Sequence, residues 1–149
     1  MKKTIIFFMF LIGINITAHL GYPCSTDEKK CVLRGFRIDG KEVNKAEKKD
    51  FKEIVDLVNQ YGIKGSIDIV GHTDSTGSEK YNLKLSLIRA KKVAELMREY
   101  GLDKRFSFGK IIGRGESSPS NTNETVEGRY NNRRVEIFLG NVEFETLKK

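Results

Sequence analysis

The apolar positions of this chain change period along its length, and each change predicts an element. Val32, Phe36 and Ile38 stand among polar neighbours and predict a first strand over residues 32–38, closed by an Asp39-Gly40 turn. Asn44-Lys45-Ala46-Glu47 has the spacing of a capping box, with the Asn44 side chain accepting from first-turn amides and Glu47 reaching back. The helix it opens runs to Tyr61, and Gly62 ends it. Phe51, Ile54, Val55, Val58 and Tyr61 fall on one face of a 3.6-residue repeat, while Lys45, Lys48, Lys49 and Lys52 read as its solvated face. Ser66–His72, with Ile67, Ile69 and Val70, predicts a second strand that feeds a loop over Thr73–Gly77. A second helix is expected from about Ser78 to Tyr100, with a core stripe of Leu83, Leu87, Ala90, Ala94 and Met97 and a stop at Gly101. Phe106–Gly115 reads as a third strand, and Glu116–Asn131, rich in Ser, Asn and Thr, as a long loop. In Arg133–Leu139, Val135, Ile137 and Leu139 alternate with Arg134, Glu136 and Phe138, the signature of a last strand with one buried face.

The resulting order is β-α-β-α-β-β. Strands that alternate with helices need crossover connections, so part of the sheet is parallel, and the last strand is expected antiparallel to a neighbour. Two amphipathic helices cover one face of a four-stranded sheet. The predicted fold class is therefore α/β, a two-layer sandwich with a mixed four-stranded sheet and both helices on one face.

The first residues carry a different pattern. Lys2 and Lys3 precede an apolar run from Ile5 to Ile16, followed by the small residues Thr17 and Ala18. That is a secretory signal, with the cut expected after Ala18. The run is about 12 residues, short of the roughly 20 a spanning helix needs. A lipoprotein cut before Cys24 is disfavoured by the preceding Gly21-Tyr22-Pro23. The expected organisation is a signal peptide at 1–18, a linker at 19–31, one domain at 32–140 and a tail at 141–149. Cys24 and Cys31 are the two cysteines of the chain, and export favours a bridge between them.

The chain carries a net charge of +7. Without Lys2 and Lys3, 25 basic residues face 20 acidic ones, a net +5. A basic exported domain associates with polyanions of its compartment, such as wall polymer or lipid headgroups, and export removes nucleic acid as a partner.

Candidate chemistry gathers at one place. The end of the second strand, the Thr73–Gly77 loop and the start of the second helix form one crevice, the usual ligand position in an open α/β sheet. Asp74 sits in it. Asn82, Ser86 and Arg89, at i, i+4 and i+7, form a polar stripe on the helix, and a long Arg89 side chain reaches back toward the helix N-terminus. One carboxylate and one guanidinium facing the same ligand suit a zwitterion, because guanidinium grips a carboxylate bidentately. The spacing is equally consistent with Asp74 capping a turn and Arg89 pairing with it. Other arrangements fall short. His72 and Asp74 make no metal site without further ligands. Ser86 has no His partner. Glu116 and Glu124 lie in a loop rather than converging in a cleft.

Gly71-His72-Thr73-Asp74-Ser75-Thr76-Gly77, then Asn82-x-x-Leu85-Ser86-x-x-Arg89-Ala90-x-x-Val93, resembles the C-terminal domain family of outer-membrane protein A, the OmpA-like family also found in MotB and peptidoglycan-associated lipoprotein. A downstream block agrees in order and spacing: Gly113-Arg114-Gly115-Glu116, Pro119, Asn123, Thr125, Gly128-Arg129 and Asn132-Arg133-Arg134-Val135-Glu136-Ile137. The similarity covers about residues 32–140, while Gly35–Gly40 matches only loosely.

The resemblance implies a non-enzymatic domain that binds peptidoglycan non-covalently through the diaminopimelate of the stem peptide. It places Asp74 at the ammonium acceptor and Arg89 at the carboxylate clamp. Asn82 fixes the loop or a ligand carbonyl, Thr76 and Gly77 offer loop amides, and Arg133 lies in the Asn-Arg-Arg segment as a further ligand or supporting residue. Strand-edge arginines such as Arg133 and Arg134 are otherwise expected to be solvated. No cofactor or metal is implied, and no transmembrane barrel is expected in a chain of this length. The expected location is the periplasm or an association with the outer membrane, with peptidoglycan and outer-membrane or envelope proteins as partners. Two alternatives stand beside this reading: an envelope-complex subunit whose pocket serves a protein, and a peptidoglycan-modifying enzyme, for which the chain offers no catalytic constellation.

Overall fold

The computed structural model describes residues 24, 25 and 28–144, so the expected signal peptide lies outside the described residues. The elements are β1 (Cys24–Ser25), β2 (Lys30–Leu33), α1 (Lys45–Tyr61), β3 (Gly62–Gly71), α2 (Glu79–Glu99), β4 (Phe106–Gly113), α3 (Val126–Asn132) and β5 (Val135–Phe144). The sheet order is β1-β2-β5-β3-β4. β3 and β4 are parallel, and the other neighbouring pairs are antiparallel. The sheet is mixed, as expected, but has five strands, because Cys24–Ser25 pairs with β2 inside the stretch expected to be a linker. A disulfide joins Cys24 and Cys31, which are direct partners in that register.

Alternate residues of the strands feed one core. Cys31 and Leu33, Ile67 and Ile69, and Val135, Ile137 and Leu139 are all buried. They pack against Phe51, Ile54, Val55 and Val58 of α1 and Ala90, Val93, Ala94 and Met97 of α2. Both long helices therefore lie on one face of the sheet. α1 begins where its capping signal places it, with Asn44 Oδ1 accepting from the Ala46 amide at 2.7 Å. Gly62 ends it without a left-handed turn (φ −77°), and β3 starts at that residue. Glycine is needed there for space: a Cβ would lie 2.6 Å from the Phe106 ring and from the Val58 carbonyl.

Several expected boundaries and faces change. The first strand stops at Leu33, and Arg34–Arg37 leave the sheet, with Phe36 buried and Ile38 exposed. β3 begins four residues before the expected Ser66, and β5 runs past Leu139 to Phe144, so part of the expected tail is strand. These two extensions pair with each other, Gly65 with Val142 and Gly62 with Phe144. β4 ends at Gly113 rather than Gly115. The expected loop over 116–131 contains α3, opened by Thr125, whose hydroxyl accepts from the Gly128 amide at 3.0 Å.

The face of α2 is the most consequential correction. Leu83 is 52% exposed, while Asn82, Ser86 and Arg89 are buried with Leu85, Val93 and Leu96. The polar stripe thus lies under the helix rather than beside its core stripe. Two glycines allow this. A Cβ on Gly71 would lie 1.9 Å from the Ser86 carbonyl oxygen, and one on Gly113 would lie 2.3 Å from the Leu87 nitrogen. The α2 backbone rests directly on the C-terminal ends of β3 and β4, and its polar stripe is carried to the point where those strands leave the sheet. Among the described residues no helix is long and apolar enough to cross a membrane.

Candidate functional site

β3 continues past its last ladder residue between its two neighbours. The His72 amide donates to the Arg134 carbonyl at 2.9 Å, and the Thr73 amide donates to the Gly115 carbonyl at 2.9 Å. Asp74 emerges from that clamp only 2% exposed. Its Oδ1 accepts from the Thr76 amide at 2.9 Å, a local turn that fixes the start of the loop. Its Oδ2 accepts from Arg133 Nη1 at 2.6 Å. Thr76 and Gly77 are exposed at the loop tip, where Gly77 takes φ +100°, a conformation that favours glycine. Ser78 then caps α2, its hydroxyl accepting from the Tyr81 amide at 3.3 Å.

Arg133 is placed by α3 and β5, on the short passage between them. Besides Asp74, it donates through Nε to the Phe36 carbonyl at 2.8 Å, and its guanidinium stands 5.9 Å from the centre of the Tyr130 ring. Its side chain is 12% exposed, against 3% for Asp74, so Arg133 is the outer member of the pair. Asn132 organises the approach: its Oδ1 accepts from the Ser120 and Asn121 amides, and its Nδ2 donates to the Asn121 carbonyl and to Asn123 Oδ1. Asn123 Oδ1 also accepts from the Ser75 amide, which ties this loop to the Asp74 loop.

Arg89 lies deeper and has no exposed surface. Nε donates to the Gly40 carbonyl at 2.9 Å, Nη1 to His72 at 3.0 Å, and Nη2 to Arg37 at 2.7 Å and Ile38 at 2.9 Å. A guanidinium has five N–H bonds; four are taken by backbone carbonyls, and one on Nη1 makes no hydrogen bond among the described residues. The Phe36 ring lies 5.2 Å from its carbon. The resemblance implies Arg89 as the carboxylate clamp. In the structure its guanidinium holds the turn over residues 37–40 down on the end of β3, and the guanidinium that touches Asp74 is that of Arg133. The expectation that Arg133 and Arg134 are solvated is likewise corrected, since both are tied into the fold and Arg134 is buried.

The electrostatics follow from this packing. Burial alone raises the Asp74 pKa, but the Arg133 hydrogen bond, the Thr76 amide and hydroxyl, and the Arg133 charge outweigh it and hold the carboxyl below its ordinary value. Burial lowers the Arg89 pKa to about 10, opposed by the nearby Asp74 charge and assisted by that of Arg133. Both groups are ionised at neutral pH. The site therefore presents one buried anion and two cations, one outer and one inner.

Asn82 ties the Asp74 loop to Glu116, past the β4 end. Its Nδ2 donates to the Asp74 carbonyl at 3.3 Å and to Glu116 Oε2. Ser86 Oγ accepts from the Gly115 amide at 2.8 Å, pinning the same strand end. Glu116 and the turn over residues 37–40 are the parts of the site that sequence reasoning missed. For the turn, the Asp39-Gly40 signal was visible and its Tyr81 partner was not: Tyr81 Oη donates to Asp39 Oδ1 at 3.3 Å, across 42 residues.

A mixed sheet with two helices on one face, and a buried carboxylate–guanidinium pair where β3 leaves the sheet, define the α/β class to which this domain belongs. Residues 35–133 match the OmpA family, and the chain belongs to that family, which is non-enzymatic. Among curated relatives, it is 41% identical over 104 residues to outer membrane porin F of Pseudomonas aeruginosa, covering 68% of this chain and 28% of the porin. It is 44% identical over 73 residues to the peptidoglycan-binding protein ArfA of Mycobacterium bovis, covering 49% of this chain and 22% of ArfA. The solved structure of the cell wall anchor of the T6SS from Pseudomonas aeruginosa superposes with a TM-score of 0.59 at 32% identity, covering 78% of this chain and 81% of that one. The chain spans well under half the length of the curated relatives it matches.

Proposed function

We propose that this domain binds peptidoglycan non-covalently on the periplasmic side of the envelope, and that it recognises the free amino-acid centre of diaminopimelate in the stem peptide. The observation that carries the reading is the ionised, buried Asp74 whose single charged partner is the more exposed Arg133. The names of ArfA and of the cell wall anchor support a wall ligand.

The internal ion pair has the chemistry of the ligand it would receive. An arriving ammonium takes Asp74 Oδ2 and releases Arg133 Nη1, and the released guanidinium meets the carboxylate on the same ligand carbon. One ion pair is exchanged for two, so no charge is left buried and unpaired. Each charge-assisted contact contributes about 1.5–3 kcal/mol. Arg89, the expected clamp, is the inner cation of the site. It has no exposed surface, so its engagement with a ligand carboxylate requires the turn over residues 37–40 to let go. Exposed Gly77 shapes the entrance, while the Thr76 amide and the Asn82 side chain hold the Asp74 loop from within.

Co-sedimentation with two kinds of insoluble wall tests this. Diaminopimelate-type wall carries a free zwitterionic centre, whereas lysine-type wall carries only an ammonium at that position. The domain is expected to pellet with the first and not the second. Equal pelleting with both sinks the zwitterion assignment.

A further inference from the structure

The helix-free face of the sheet carries a second concentration of charge, separate from the Asp74 pocket. Alternation along β3 and β5 sends His72 and Arg134 to that face, opposite the buried Gly71 and Val135. The β2–β5 ladder ends with Leu33 opposite Val135, and Arg34 is the first residue past that end, next to where Arg134 precedes Val135. The β3–β4 register, Gly71 with Gly113, carries Arg114 to the position beside His72. One row across the end of the sheet therefore reads Arg34, Arg134, His72, Arg114. Among the described residues Glu136 is the carboxylate in contact with it: its Oε1 accepts from Arg134 Nε at 2.8 Å, and its Oε2 lies 3.8 Å from His72 Nε2.

The row has polar atoms without partners, and a neutral His72 ring supplies one donor among them. His72 and Arg134 are 2% and 5% exposed. Yet Arg134 Nη1, both ring nitrogens of His72 and the Arg34 Nε are buried and make no hydrogen bond among the described residues. A buried N–H without an acceptor costs about 1–3 kcal/mol, more on a charged group, and native proteins seldom leave several together. Glu136 supplies one negative charge against three guanidinium groups.

We propose that the Arg34–Arg134–His72–Arg114 row is a binding site for an oxyanion group, a phosphate or a carboxylate, bound beside Glu136. Arg134 Nη1, Arg34 Nε and the His72 ring donate to the anion, and exposed Arg114 guides its entry. Planar guanidinium forks suit both kinds of group. The ligand class differs from that of the Asp74 pocket, where a buried carboxylate demands an ammonium as well.

The test is a side-chain NMR titration of the full chain near neutral pH with sodium phosphate and, separately, sodium acetate, at ionic strength held constant with chloride. Saturable shifts of the Arg34 and Arg134 Nε–H signals and of the His72 ring are expected. Saturation by phosphate alone assigns a phosphate ligand, and saturation by acetate as well assigns a carboxylate-tolerant site. Arg34→Gln, at a half-buried position, weakens the apparent affinity about tenfold or more, the loss of one charged donor. Glu136→Gln, which removes the competing carboxylate, tightens it. Shifts that rise linearly with both anions, or Arg34→Gln and Glu136→Gln proteins that titrate like the wild type, overturn the proposal.

Discussion

Arg133 Nη1 stands 2.6 Å from Asp74 Oδ2, while Arg89, fifteen positions after Asp74 on α2, spends its guanidinium on four backbone carbonyls. Two arginines thus divide two tasks. The inner one fastens the turn over residues 37–40 to the end of β3, and the outer one neutralises the buried Asp74 carboxylate. Tyr81 Oη, bonded to Asp39 Oδ1 at 3.3 Å, adds a weaker fastening to the same turn.

This division predicts different outcomes for the two arginines. Arg89→Ala leaves the carbonyls of Arg37, Ile38, Gly40 and His72 without their donor, and is expected to cost about 3–5 kcal/mol of stability. Arg133→Ala, at a partly exposed position, is expected to cost about 1–2 kcal/mol. Urea unfolding of both variants measures the difference. Equal losses contradict the assignment of Arg89 as the residue that holds the turn.

His72 predicts a pH dependence of stability. Burial, then the charge of Arg134, lowers its pKa to about 4 despite the opposing Glu136 charge. The unfolded chain binds this proton near pH 6.5 and the folded one does not, so stability falls as pH drops from about 6.5 to 4 and the His72 contribution is level below that. The expected loss is on the order of 3 kcal/mol. Chemical unfolding at several pH values should show the slope in the wild type and its absence in His72→Gln. An unchanged slope in the variant contradicts a buried neutral imidazole.

How much of this was legible depends on where the information resides. α1 declares itself through Asn44 and the Phe51–Val58 stripe, because a cap and a buried face are both local patterns. The core faces of β3 and β5 are likewise visible in Ile67 and Ile69 and in Val135, Ile137 and Leu139. The orientation of α2 is not, because burying Asn82, Ser86 and Arg89 depends on acceptors from residues 37–40, 72, 74 and 116, which only the fold brings near. α3 has no apolar stripe. Its Thr125 cap and the Arg129 bonds to the Asn123 and Glu124 carbonyls hold it instead. The β3 and β5 extensions lack a clear alternation and exist because each pairs with the other. Within the site, Asp74 and Asn82 were legible from their positions, and the Arg133 partnership was not, since it spans 59 residues.

The Gly71 contact predicts a steric lesion. Any Cβ there meets the Ser86 carbonyl oxygen at 1.9 Å, and both partners are backbone or fixed to it. Gly71→Ala is expected to cost about 1–3 kcal/mol or more, with α2 pushed off the strand end and ligand binding weakened with it. Thermal unfolding measures this. A variant as stable as the wild type shows that α2 does not rest on β3 as described.

Ligand binding should survive mild acid. The Asp74 carboxyl is held below its ordinary value, burial notwithstanding, by Arg133 and Thr76. Its charge persists at a pH where an ordinary aspartate has begun to protonate, and is lost as pH falls through the depressed value. Sedimentation with wall across the acid range, under conditions where circular dichroism shows the fold intact, reads this directly. Loss of binding at or above the ordinary aspartate pKa contradicts an Asp74 anion as the ammonium acceptor.

The most direct measurement is binding of Asp74→Ala to insoluble diaminopimelate-type peptidoglycan, beside the wild type and with folding checked in parallel. A folded variant that stays in the supernatant while the wild type pellets is the predicted result. A folded variant that pellets as the wild type does would show that the wall is held somewhere else on the domain.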